Sequence, residues 1–333
     1  MESSLPIISI ITPSFNQGQY LEQTIDSVLS QNYPNIEYII VDGGSTDQSI
    51  EIIKKYENYL AYWVAEPDKG QSEAINKGLK KATGDIVNWI NSDDFYERGA
   101  LKAVATAFED DNINVVCGRG KIINEEGEFV RYSKGTDIYN ANLEKTIGWA
   151  RIDQPETFFR RHVLKKTGLL TAGLHYVMDK AWWVNYLLSF GLDNVREIDD
   201  VLVNFRLHES SKTVSQPDCF VHETGTLFLA LAHQYHLSEE YDNIHNLLDA
   251  AHTDISGVQI NQVEYPQLVV KALHYYLLRR ADEFYYRHQR KKARLALSNI
   301  RPELLKPEDL ALYHKLQMRC RWVPERLLKL IRP

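Results

Sequence analysis

The chain has 333 residues, with 38 Lys+Arg against 45 Asp+Glu and a formal net charge of −7. Hydrophobic residues make up 44% and charged residues 25%, the composition of a folded protein, which excludes intrinsic disorder, a collagen-like repeat and a disulfide-stapled miniprotein. The charge is unevenly divided: from Arg279 onward 15 Lys+Arg face 6 Asp+Glu, a net of +9, whereas the residues before it carry 23 against 39, a net of −16.

The first hundred residues alternate strand and helix patterns. Ile7-Ile8-Ser9-Ile10-Ile11 is a β-branched run stopped by Pro13, as expected of a buried parallel strand. Leu21, Ile25, Val28 and Leu29 follow at helical spacing, then a second strand over Ile36 to Val41 with a turn at Asp42-Gly43-Gly44-Ser45. A helix through Ile50, Ile53 and Tyr56, a third strand near Leu60 to Ala65, a helix through Ala74 to Leu79 and a fourth strand over Asp85 to Ile90 come next. Leu101, Val104, Ala105 and Phe108 form one more helical stripe. The order implies right-handed crossovers in a mainly parallel, doubly wound α/β sheet, whose ligands bind at the carboxyl ends of the strands. The segments at those ends are Thr12 to Asn16, Asp42 to Asp47 and Asn91 to Asp94, each polar in character, and two of them carry carboxylates.

After Asn114 the pattern predicts strands at Val115 to Gly118 and Lys121 to Ile123, with a hairpin turn at Asn124 to Gly127. A helix is expected over Met178 to Phe190 and a last strand over Val201 to Leu207. Beyond Pro217 the pattern is helical, with stripes at Leu227, Leu231 and Tyr235 and at Val269, Val270, Leu273, Tyr276 and Leu277. The predicted organisation is a catalytic domain over 1–215 and an α-helical C-terminal region over 216–333. No apolar run approaches the roughly 20 residues of a spanning helix. Met1-Glu2-Ser3-Ser4 lacks the basic-then-apolar order of a signal peptide, so a cytoplasmic location is expected. Cys117, Cys219 and Cys320 show no C-x-x-C spacing and are expected as buried thiols in a reducing compartment.

Asn91-Ser92-Asp93-Asp94 carries the strongest chemical signal. Adjacent carboxylates at a strand end repel unless a positive group sits beside them, and a hard divalent cation bound to a diphosphate meets that need. Taken alone, the same residues read more readily as a turn capping the next helix. Asp42 is placed to accept a hydrogen bond from a nucleobase N–H, with Gly43 and Gly44 permitting close backbone approach. Glu66 to Asn76 supplies a third loop to the same edge.

Together, Thr12-Pro13-Ser14-Phe15-Asn16, Ile39-Ile40-Val41-Asp42-Gly43-Gly44-Ser45-Thr46-Asp47, Asp68-Lys69-Gly70-Gln71-Ser72 and Asn91-Ser92-Asp93-Asp94 resemble the motifs of family 2 glycosyltransferases of the GT-A fold, in the same order. The resemblance covers roughly residues 5 to 210. It implies inverting, non-processive transfer of a sugar from a nucleoside diphosphate donor, with UDP the family-level expectation, to a hydroxyl of a glycan or lipid-linked acceptor. By the same resemblance Asp42 contacts the base, and the backbone of Thr12, Pro13, Ser14 and Phe15 lines the nucleotide. Lys69 approaches the phosphates; Asp94 contacts the metal (Mn²⁺ or Mg²⁺), and Asp93 the ribose or a metal-bound water. The base that deprotonates the acceptor maps to Asp179 of Met178-Asp179, although Asp179 also reads as a helix cap. His208, after the last predicted strand, is a further candidate metal ligand. Gln154-Pro155-Glu156-Thr157-Phe158-Phe159-Arg160 resembles the strand shaping the acceptor side, and Trp182 or Trp183 offers a face to an acceptor sugar if it is not core.

Two other classes fit less well. A binding protein of this fold without turnover has no need of Asp42, Asp93, Asp94 and Asp179 together. A nucleotidyltransferase would carry a Gly-rich, basic loop where Thr12 to Tyr20 stands. The basic tail, with Arg287, Arg290-Lys291-Lys292, Arg294 and the stripe Leu327, Leu328 and Ile331, suits either an anionic membrane surface bearing a lipid-linked acceptor or a protein partner. No nucleic acid is expected as a partner.

Overall fold

The computed structural model describes residues 5–248, 253–262 and 264–322. Leu327, Leu328 and Ile331 lie outside them. In chain order the elements are β1 (Ile8–Ser14), α1 (Gly18–Leu29), β2 (Ile36–Asp42), α2 (Ser49–Tyr56), β3 (Tyr62–Ala65), α3 (Gln71–Lys81), β4 (Ile86–Trp89), β5 (Phe95–Tyr96), α4 (Ala100–Ala107), β6 (Val115–Ile123) and β7 (Phe129–Tyr132). Then come α5 (Leu143–Trp149), β8 (Thr157–Arg160), α6 (Leu164–Thr167), α7 (Met178–Phe190), β9 (Val195–Arg206), α8 (Lys212–Ser215), α9 (Pro217–Gln234), α10 (Ser238–His245), α11 (Pro266–Tyr286), α12 (Arg290–Ser298) and α13 (Pro307–Trp322). The backbone divides into two compact units, 1–137 with 151–220, and 138–150 with 221–333.

The first unit is α/β. Its sheet runs β3-β2-β1-β4-β8-β6-β9-β5, with β7 paired to β6. The β3-β2-β1-β4 half is parallel throughout, and the long β6–β9 ladder is parallel as well, while β8 joins the two halves antiparallel to both β4 and β6. Every residue of β1 is buried, as a central strand covered on both faces requires. On one face α3 lies so close that a Cβ on Gly78 would stand 2.4 Å from Ile11 Cγ2, so the helix–strand contact depends on glycine. On the other, Leu21, Ile25 and Val28 of α1 and Leu101, Val104 and Ala105 of α4 join Ile8, Ile10 and Ile40 in one hydrophobic cluster.

The strand order reverses at β1, with β2 and β4 on its two sides. The β1–β4 pairing ends at Ile11↔Trp89, whereas β1–β2 continues to Ser14↔Asp42. The missing N–H of Pro13 therefore falls beyond the β4 ladder. Such a reversal is where open α/β sheets bind ligands.

The second unit is helical. Gly148 of α5 sits against α11, where a Cβ would be 2.4 Å from the Ala272 carbonyl oxygen and 2.5 Å from Tyr275 Cβ. Asp309 of α13 is buried and accepts from Lys145 Nζ at 2.5 Å, Tyr275 O–H at 2.9 Å and Asn142 Nδ2 at 3.2 Å. In α12, Arg290 Nη2 and Arg294 Nε donate to the carbonyls of Arg319 and Cys320 at the end of α13 (2.6 and 2.8 Å), so these two guanidiniums cap a helix. Arg287, Lys291 and Leu295 are exposed. Among the described residues no helix is long and apolar enough to cross a membrane. Cys117 and Cys320 are buried, whereas Cys219 is half-exposed, contrary to the expectation of three buried thiols.

Candidate active site at the carboxyl edge of the sheet

The site is built on loops that fasten one another. Asn16, held at φ 52°, donates its N–H to Ser45 Oγ at 2.8 Å and accepts the Thr46 N–H at 2.8 Å through Oδ1, tying the β1 loop to the β2 loop. Asp47 accepts the N–H of Gly18 and of Ser49, both at 2.9 Å, satisfying backbone donors at the starts of α1 and α2.

Asp42 is fully buried and faces this framework. Its Oδ1 accepts the N–H groups of Gly44 (3.0 Å) and Ser45 (2.7 Å), and its Oδ2 the hydroxyls of Ser14 (2.9 Å) and Ser45 (2.6 Å). A carboxylate has about four acceptor positions, and all four are taken. These bonds make the Asp42 carboxylate the anchor of the β2 turn.

Asp94 is buried after β4. Its Oδ1 accepts the Arg206 N–H at 2.9 Å, and Asn91 Nδ2 lies 3.3 Å from Oδ2. Burial, and next the charge of Asp93, hold its carboxyl well above the usual range. Asp93 is more open, with Oδ2 3.0 Å from His208 Nε2, while His208 Nδ1 is 2.9 Å from Ser210 Oγ. Arg206, which the motifs did not single out, lies buried behind the pair. Its guanidinium donates to the Asp93 carbonyl, the Glu125 carbonyl and Gln23 Oε1, and rests over the Tyr20 ring.

A polar relay reaches Asp94 from the other side. Lys212 Nζ donates to Gln71 Oε1 (3.0 Å), Gln71 Nε2 to Asn91 Oδ1 (2.7 Å), and Asn91 faces Asp94. Gln71 begins α3, Asn91 follows β4 and Lys212 begins α8, so no local pattern marks them as partners. Lys69 is exposed, and its backbone N–H donates to Glu73 Oε2 at 3.0 Å. Thr12 and Ser14 are buried in β1, and Phe15 is 61% exposed at its end.

Asp179 occupies the first turn of α7, half-buried, with Oδ1 accepting the Lys180 N–H at 2.7 Å. Burial pushes its carboxyl up to about 6 against the opposing N–H bond and charge of Lys180, and the charge of Asp153 adds to the rise. Glu156, which accepts from Ser133 Oγ at 2.6 Å, is pushed up to about 8 by burial and by Asp153, and its charge acts on Asp94 as well. Asp94, Glu156, Asp153 and Asp179 thus share one acidic field. Trp182 and Trp183 are both buried, and Trp182 Nε1 donates to Thr167 Oγ1 at 3.1 Å, so neither offers a face to an acceptor.

Residues 9–168 match the family described as Glycosyl transferase family 2. The chain carries a family 2 glycosyltransferase domain. An uncharacterized glycosyltransferase of Rickettsia typhi is 27% identical over 220 residues, 62% of this chain and 66% of that protein. One of Haemophilus influenzae is 35% identical over 131 residues, 38% of this chain and 52% of its own length. The chain thus spans just under two thirds of the first of these relatives and about half of the second. Among solved structures, S. aureus TarS 1-349 in complex with UDP-GlcNAc aligns with TM-score 0.57 at 18% identity, covering 94% of this chain and 88% of that one, a likeness of GT-A fold.

The donor set fits a divalent cation. Asp93 and Asp94 are adjacent carboxylates whose mutual repulsion a cation relieves, and oxygen ligands suit Mn²⁺ or Mg²⁺. Among the described residues no cluster of three or more His, Cys, Asp or Glu side chains forms a cage. The remaining ligands would come from donor phosphates and water, as is usual for Mg²⁺.

Proposed function

We propose that this protein transfers a sugar, with inversion, from a UDP-linked donor to a hydroxyl of a glycan or lipid-linked acceptor in cell-surface glycoconjugate synthesis. The observation that carries the reading is the placement of Asp93 and Asp94 beside the β1/β4 reversal, with a carboxyl of raised pKa at Asp179 in the same acidic field. The UDP-GlcNAc complex of the similar TarS fold supports a uridine donor.

In this mechanism Asp94 and Asp93 would hold the cation together with the donor's phosphates, with His208 beside Asp93 as a further ligand if its ring turns from the Asp93 carboxylate, and the bound cation would supply Lewis-acid stabilisation of the leaving diphosphate. Arg206 and the Lys212–Gln71–Asn91 relay fix the Asp94 carboxylate from two sides, so it does not reorganise during reaction. Lys69 and the backbone of Thr12 to Phe15 line the nucleotide. Asp179 removes the acceptor hydroxyl's proton as that oxygen bonds to the anomeric carbon. The bond from that carbon to the diphosphate oxygen breaks, and the electron pair leaves with the diphosphate. A base titrating near 6 is mostly ionised at neutral pH and remains basic enough to take the proton.

The protein's place is proposed as the cytoplasm, with the basic face around Arg287 and Lys291 against an anionic membrane surface. Loss of liposome co-sedimentation on deleting residues 279–333 supports that placement, and unchanged binding rejects it. The function itself is tested by thermal shift with UDP-, GDP- and CDP-sugars, with and without Mn²⁺ or Mg²⁺, followed by turnover on the best donor. A metal-dependent shift with a UDP-sugar and release of UDP are expected; no shift with any nucleotide sugar rejects the reading.

A further inference from the structure

We propose that Phe129 and Tyr132, on the β6–β7 hairpin, form a stacking platform for acceptor sugars next to the one that reacts, so that the acceptor is an oligosaccharide chain without strong negative charge. The proposal rests on the preceding reading that this protein transfers a sugar to a glycan.

Every residue of β7 is exposed, and Phe129 and Tyr132 stand open at 54% and 57%. On a regular strand, residues three apart point to opposite faces. Here the register passes from Ile122↔Arg131 to Ile123↔Phe129, so Val130 is the extra residue of a bulge. The bulge brings the two rings together, with centroids 5.1 Å apart and planes at 63°. Both rings stay more than half open to water, which leaves their apolar area to a ligand.

The hairpin is fastened to the site at both ends. At its turn, Arg206 Nη1 donates to the Glu125 carbonyl at 2.6 Å and Tyr20 O–H to Glu125 Oε1 at 3.0 Å. The backbone N–H of the same Arg206 holds Asp94. At the other end Ser133, next in sequence to Tyr132, donates to Glu156 Oε1 at 2.6 Å and accepts the N–H groups of Gly120 and Gly135. From Ser133 back to Phe129 the strand covers about 13 Å, at roughly 3.3 Å per residue, a distance that a short sugar chain spans.

The chemistry of the hairpin selects the occupant. A pyranose ring presents a face of C–H groups whose partial positive charge suits the negative face of an aromatic ring, while its hydroxyls stay in water. A protein strand fits poorly. The strand is four residues long and bulged, two features that blunt an edge against pairing, and Arg131 Nη1 covers the Tyr132 carbonyl at 3.2 Å. Glu125, Glu126 and Glu128, all exposed, outnumber Arg131 and Lys134, so the hairpin repels an anionic lipid surface or a polyanionic chain.

Calorimetry with chitopentaose, cellopentaose and maltopentaose, each beside its monosaccharide, tests this on the protein loaded with Mn²⁺ and UDP. The wild type is compared with Phe129→Ala, Tyr132→Ala and the double variant. At least one pentaose is expected to bind the wild type roughly tenfold or more tightly than its monosaccharide. Each single variant should weaken that pentaose about 2- to 10-fold, the range for one aromatic contact, and the double variant should abolish the gain with length. Affinity for UDP with Mn²⁺ should hold in all three, and thermal melts confirm the fold. No gain with length for any of the three sugars, or a pentaose bound as tightly by the double variant, overturns the platform while UDP binding keeps the transferase reading intact. Sedimentation in which the wild type self-associates and the double variant does not would assign the rings to a contact between copies, and overturns it as well. Failure of every nucleoside diphosphate to bind the wild type overturns both readings.

Discussion

Asp179 gives the account its most quantitative consequence. Its carboxyl is raised to about 6 because burial penalises the charge more than the Lys180 N–H and ammonium favour it, and Asp153 adds repulsion. A base must be deprotonated to act, so kcat/KM rises with pH through the folded pKa. With a value near 6, about nine-tenths of the enzyme is competent at pH 7 and about one-tenth at pH 5, a roughly tenfold fall. An ordinary aspartate, titrating near 4, would stay mostly ionised over that interval and give a nearly flat profile. Asp179→Asn keeps the side chain's size and the acceptor for the Lys180 N–H but lacks the base, so kcat should fall about 10²- to 10⁴-fold with donor affinity retained. The assay is release of UDP at subsaturating donor between pH 5 and 8, with melts at each pH to exclude unfolding. A flat wild-type profile, or Asp179→Asn turning over at the wild-type rate, would refute the assignment.

Other consequences follow from the same structure. Asp94→Asn keeps an acceptor for the Arg206 N–H but removes a charge, so it should weaken Mn²⁺-dependent donor affinity by about tenfold or more, read by calorimetry, while metal-free binding changes little. Gly78→Ala would drive a methyl into Ile11 of the fully buried β1; about 1–3 kcal/mol of overpacking outweighs the roughly 1 kcal/mol gained in helix propensity, so the melting temperature should drop. Glu156→Gln removes a carboxyl that burial and Asp153 hold up to about 8. Because the folded pKa lies above the unfolded one, the wild type's contribution from Glu156 is fully present below about pH 4.5 and is lost as pH rises through 8. The variant should flatten the decline in melting temperature between about pH 5 and 8.

The parallel half of the sheet was legible because short apolar runs alternate with helical stripes, although β1 passes through Pro13 to Ser14; α7 falls on its predicted span of Met178 to Phe190. Only part of β9 was legible. Its first half carries Arg196, Glu197, Asp199 and Asp200, and is a strand because β6 pairs with it from Val115↔Val195 onward. The membership of 138–150 in the helical unit was hidden too, since it depends on Gly148 fitting beneath Ala272 and Tyr275, more than a hundred residues away. Trp182 and Trp183 misled because α7 is buried on nearly every face, so its spacing does not tell a core ring from a binding ring. At the site, the motifs located the loops but not the direction of each side chain. Asp42 turns inward to four donors, while Asp68, in a motif read chiefly for Lys69, turns toward Gly43.

The central claim is a single displacement at the anomeric carbon assisted by Asp179. It is tested most directly by NMR of the first sugar released when the enzyme and Mn²⁺ act on an α-linked UDP-sugar with water as acceptor, recorded before mutarotation. The account predicts the β anomer; first release of the α anomer would contradict it.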